Sequence, residues 1–285
     1  GGTISVVTSG AGNAGNIALN VNSFTQTSGA RVESSTNGAG AGGALGVTVN
    51  ELVSISGAVS GLFSTASSTG DAGQITVSAP SLAPVPTLTI ADGAKITVAT
   101  SGAGNAGSVS LNANTLNLTG GAQVISSTNG AGQGGSVAIA ATDSMSISGS
   151  GGGLFSTASS TGNAGQINVT TPTLTMGEGG TISVATSGAG NAGNIALNVN
   201  SFTQTSGARV DSSTASGGRG GDLTVTAANS ATISGAGTGL FSTASSTGNA
   251  GQITVSAPGL TPVPTLTIAD GAKITVATSG AGNAG

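Results

Sequence analysis

The chain has 285 residues, 52 of them glycine, with 5% charged and 2% aromatic residues and a net charge of -4. It contains no histidine or cysteine, which excludes disulfides, thiolate metal sites and the usual nucleophile-and-base pairs, and its five lysines and arginines are too few to track a nucleic-acid backbone. At 36% apolar, drawn largely from alanine, valine, leucine and isoleucine, it is too apolar for a charged disordered tail and too glycine-rich for a thick core, but suited to thin β-layers.

In chain order, the sequence opens on Gly1-Gly2 without a start methionine or a leader, so the chain is expected to be a segment of a longer precursor. The first full unit follows Gly15. In it "NIALNV" puts Ile17, Leu19 and Val21 on one face by period-two alternation, "SFTQTS" follows with Phe24, and "ARVESST" with Val32. The corner before the third segment is Ser28-Gly29-Ala30, and its equivalents Gly93, Gly121, Gly207 and Gly271 indicate a turn with positive φ. Asn20 and Asn22 suggest a second corner, matched by Ala79-Pro80 further on. The third corner is "GAGNAG", whose small residues either let the chain pass close to its neighbours or make a protruding ridge. "SLAPVP", at 81–86, reads as an inserted, proline-stiffened loop. No apolar run is long enough to span a membrane.

Repeats organise everything else. Residues 1–107 superimpose on 179–285 without a gap, and Thr8 to Val32 recurs letter for letter at Thr186 to Val210. A weaker copy lies between them, giving half-repeats of 92 and 86 residues within a super-repeat of 1–178 and a partial copy of 179–285. A shorter period is nested inside. The strand-preceding glycines Gly15, Gly43, Gly73, Gly107, Gly135, Gly165, Gly193, Gly221, Gly251 and Gly285 are spaced by 28, 30 or 34 residues. Three short strands and three corners per unit of about 30 residues predict an all-β fold, a single continuous parallel β-helix (β-solenoid) over 1–285 with roughly nine to ten coils. At about 4.8 Å per coil this is a rod of roughly 45 Å. Stacking in register predicts one internal ladder of Ile17, Val47 and Ile75 and another of Val32, Phe63 and Ile96, with all five phenylalanines in the core.

The segments "GNAGNIALN", "GARVESST", "GLFSTASSTGNAGQI" and "LTIADGAKI" resemble the repeat region of cyanobacterial filamentous-haemagglutinin-like exoproteins of the two-partner secretion type. The resemblance covers the whole chain and rests on "GLFST" combined with "GNAGQI". It implies a right-handed helix, export through an outer-membrane secretion partner and an extracellular or cell-surface location. The family's amino-terminal secretion domain has no counterpart here, so neither secretion signals nor haemagglutinating activity carry over to particular residues.

Polysaccharide cleavage on a β-helix needs paired carboxylates in a concave site. The nine acids, Glu33, Glu51, Asp71, Asp92, Asp143, Glu178, Asp211, Asp222 and Asp270, are scattered; Glu33 and Asp211 are expected to pair on the outer face with Arg31 and Arg209. "GGRGGDL", Gly217 to Leu223, matches the start of a calcium-binding nonapeptide once, while the equivalent turns lack the aspartate. No catalytic, metal or cofactor site is therefore expected. Ice binding would favour one threonine grid repeated in every coil, whereas the third strand alternates "ESS", "TAS" and "VAT". Neither end of the chain shows a polar capping unit. The expectation is a stiff, self-stacking segment of an extracellular fibre supporting adhesion, sheath formation or gliding, with itself as partner. The alternatives are an adhesin stalk that binds surface glycans through the "SLAPVP" corner and, more remotely, an ice-binding solenoid.

Overall fold

The computed structural model describes residues 1–79 and 86–284. Apart from a 3-10 turn at Pro258–Leu260, its regular elements are strands, and they pair in parallel throughout. About nine coils of about 29 residues stack into a β-solenoid.

Among the described residues the strands make two sheets, one of ten strands and one of eleven. The ten-stranded sheet contains the third segment of each unit, for example Arg31–Thr36, Gly61–Ala66 and Lys95–Thr100. In the other sheet the first two segments of a unit usually run together, as in Ile17–Gln26 and Ile195–Gln204. The expected second corner is thus a bend within one long strand, with the register against the next strand shifting between Val21 and Ser23. Its equivalent, "NVNS", contains no proline or glycine to break the ladder; instead two adjacent residues, Asn200 and Ser201, both turn outward between buried Val199 and Phe202. The strand divides at the two proline-containing insertions, whereas Pro172, which also lacks a ladder donor, sits at the bend of the undivided strand Ile167–Gly177. Ile75–Ser78 and Thr87–Ala91 flank the first insertion, and Ile253–Ser256 and Thr265–Ala269 flank the second. Most of "SLAPVP" lies outside the described residues, as does Gly285.

The turn before Arg31–Thr36 holds two adjacent left-handed residues. Ser28 has φ 53° and Gly29 has φ 80°, and the Ala30 amide donates to the Thr27 carbonyl at 3.1 Å. The pattern recurs at Asp92-Gly93, Gly120-Gly121, Glu178-Gly179, Ser206-Gly207 and Asp270-Gly271, as the recurring glycine predicts. The turns before Gly61–Ala66, Gly153–Ala158 and Gly239–Ala244 are built differently, with positive φ at Gly57, at Gly149 and Gly151, and at Gly235 and Gly237.

The core is a thin channel filled by inward rows. One runs Ile17, Leu45, Ile75 and Val109; the next runs Leu19, Val47, Val77 and Leu111. Val47 therefore faces the core as expected but stacks two residues away from the Ile17–Ile75 ladder, whose missing member is Leu45. Val32 and Ile96 do share a row, but Leu62 lies between them. Phe63 points out, because it follows inward Leu62 and a strand alternates its faces. Phe155 and Phe241 are likewise on the outer face, while Phe202 is fully buried and Phe24 packs against the core. The two identical stretches show what neighbours contribute: Val199 is 6% exposed between two coils, and Val21, in the outermost coil of the eleven-stranded sheet, is 40% exposed.

Candidate functional site

The "GAGNAG" corner passes close to its neighbours. A methyl group added at Gly43, Gly73, Gly107, Gly135, Gly165, Gly193, Gly221 or Gly251 would fall on the carbonyl oxygen of the preceding glycine in the row, which begins at Gly15. A buried serine links consecutive members: Ser34 Oγ donates to the Gly15 carbonyl at 2.9 Å and accepts from the Gly43 amide at 3.0 Å. Ser64, Ser126, Ser156, Ser212 and Ser242 repeat this bridge; Val98 and Val184 take the same inward position in other coils. Outside the glycine row a polar ladder runs along the rod. Asn105 Oδ1 accepts from the Gln133 amide, Gln133 Oε1 from Asn163, Asn163 Oδ1 from Asn191 and Asn191 Oδ1 from Arg219, at 2.7–3.1 Å. The corner is a seam that fixes coil spacing, and its amides are already engaged.

The outer face of the ten-stranded sheet carries the Arg31–Glu33 and Arg209–Asp211 pairs and the outward rings. The Arg31 guanidinium lies 3.8 Å from the Phe63 ring centroid and pairs with Glu33 at 3.1 Å. Arg209 repeats both contacts with Phe241 and Asp211, at 3.8 and 3.2 Å, 178 residues on. Each ring reaches back over a glycine of its own strand: the Phe63 Cζ comes within 3.0 Å of where a Gly61 methyl would stand.

The nine acids are dispersed in space as they are in sequence. Asp92, Glu178 and Asp270 occupy left-handed turn positions. Asp71 accepts from the Asn105 amide, Glu51 from Ser23 Oγ, and Asp143 from Thr115 and Ser144 hydroxyls. Asp222 of "GGRGGDL" is held by Arg219 at 3.1 Å and by the Gln252 amide at 2.9 Å. Among the described residues no three acids converge to hold a cation.

The outer face of the eleven-stranded sheet holds an array that third-strand composition did not reveal. Beyond the bend, each strand places two side chains outward on either side of one inward residue. Stacked in register, the first column runs Ser23, Leu52, Thr87, Thr115, Ser144, Thr173, Ser201, Ser230, Thr265, and the second runs Thr25, Ser54, Thr89, Asn117, Ser146, Thr175, Thr203, Thr232, Thr267. Leu52 and Asn117 are the two interruptions. The signal was present as "SFT", "TLT", "SMS" and "SAT", three-letter fragments that look alike only once they are placed one above another. Next to it, Thr170, Asn198, Val199 and Asn200 line a shallow open notch between Pro172 and Pro258.

No family model, curated protein or solved structure matches the chain.

Proposed function

We propose that this chain is a stiff, self-stacking segment of an extracellular or cell-surface fibre. The observation that supports this reading is the glycine–serine seam. The same coil-to-coil contact recurs along the rod from Gly15 to Gly251, and no coil gathers chemically special residues at one place among the described residues. A contact of this kind adds coils without changing those already present, and stability grows as a sum over neighbours. A fibre requires that uniformity, while a catalytic or ligand-specific protein requires one exceptional place. The resemblance to secreted haemagglutinin-like repeat proteins supports the same location and a dedicated secretion partner.

The test is electron microscopy and fibre diffraction of filaments taken from the native surface. A meridional repeat near 4.8 Å along the filament axis supports a solenoid running lengthwise. Strands lying along the axis, or discrete short rods, overturn the fibre reading. In the latter case an adhesin stalk, with the notch between Pro172 and Pro258 as its glycan contact, takes its place.

A further inference from the structure

The hydroxyl columns beyond the bend form a two-dimensional lattice, and their geometry limits what can bind. Successive coils set the hydroxyl rows about 4.8 Å apart, and the two columns on one strand stand about 6.7 Å apart, twice the rise per residue. The cleanest block comprises Thr173, Thr175, Ser201, Thr203, Ser230 and Thr232. None of these six hydroxyls donates or accepts a hydrogen bond with another described residue, unlike Ser146, which donates to Asn117 Oδ1 at 2.7 Å. Each strand is pinned from behind by a fully buried side chain, Leu174, Phe202 or Ala231. The hydroxyls are therefore unpaired, regularly spaced and mounted on strands that are hydrogen-bonded to a neighbour on each side.

A single hydroxyl contact has little net value, because water competes for it. Many such contacts add up only when the ligand repeats at the same spacings and both partners are already ordered, so that little entropy is lost on binding. A soluble sugar chain follows one column at most, and the aromatic residue of this block, Phe202, faces the core, so the face has no ring for a sugar to stack on. Crystalline water presents oxygen rows in two perpendicular directions close to these spacings, carries no charge and meets a face whose block carries none.

We propose that this face of the solenoid binds ice. One chain suffices for this, so the inference stands apart from the fibre reading. The test uses the full 285-residue chain in a nanolitre osmometer, scoring thermal hysteresis and recrystallisation of ice. The expected result is faceted crystals with measurable hysteresis. Thr203→Lys, at the middle of the block, should lower that activity at least about tenfold. Thr157→Lys, on the outer face of the ten-stranded sheet, should leave it unchanged, and Ser201→Thr should raise it. Unfolding midpoints for all variants separate loss of the surface from loss of the fold. A folded wild-type chain without hysteresis overturns the proposal. So do equal losses in the two lysine variants, or depletion by microcrystalline cellulose with no effect on ice, which would make the face a polysaccharide contact instead.

Discussion

At the scale of single residues, space and backbone angle decide what each glycine is for. The methyl of Gly193→Ala would land on the Gly165 carbonyl oxygen, with no flexible group to move aside; the expected cost is about 3 kcal/mol or more, read from denaturant unfolding. Gly46 sits in an outer strand row with open space around its missing side chain. Gly46→Thr should stabilise by up to about 1 kcal/mol in the same assay. Ser206 is held at φ 53°, where a Cβ is strained, so Ser206→Gly should gain about 1 kcal/mol. The bridging serines behave differently again. Ser156→Ala leaves the Gly165 amide and the Gly135 carbonyl without their partner and should cost about 1–3 kcal/mol.

At the scale of strands and ladders, much was legible in the sequence, and the errors have one cause. The repeat period, the left-handed corner and the inward alternation of "NIALNV" all come from glycine spacing and period-two patterning. Parity cannot be read from apolarity alone. In "GLF" two large apolar residues are adjacent and only one can face in; the leucine does, and the ring goes out in all three copies, with an arginine over it at Phe63 and Phe241 but not at Phe155. The bend hid a similar ambiguity, since two consecutive outward residues shift the phase of the rest of the strand and carry the hydroxyl columns into a segment that looked unremarkable. Gln204 escaped notice too. It lies fully buried between Met176 and Ile233, donating to the Ala208 and Gly239 carbonyls at 2.9 and 3.0 Å, and nothing in "SFTQ" separates it from a surface glutamine. The identical stretches give a direct test of how far context outweighs sequence. Leu197→Ala, in a fully buried row, should cost about 3 kcal/mol. Leu19→Ala, the same letter in the same words at a partly covered coil, should cost less than half of that.

At the scale of the whole molecule, stability is a sum over neighbouring coils and owes little to charge. Three surface ion pairs, Arg31–Glu33, Arg209–Asp211 and Arg219–Asp222, are the salt bridges among the described residues. Raising sodium chloride to about 1 M should therefore shift unfolding by less than about 1 kcal/mol. Hydrogen exchange should show protection rising from the outer coils toward the middle, the profile of a linear array of coupled neighbours.

The gapless match of residues 1–107 with 179–285 bears on heredity as well as on mechanics. Misaligned recombination between the two copies inserts or removes 178 residues, which is six whole turns or about 29 Å of rod. Because the two copies are in the same phase of the repeat, each coil-to-coil contact in the product is of a kind the chain already contains. Length is then a trait that a lineage can change in fixed steps, by copying, without passing through a misfolded intermediate.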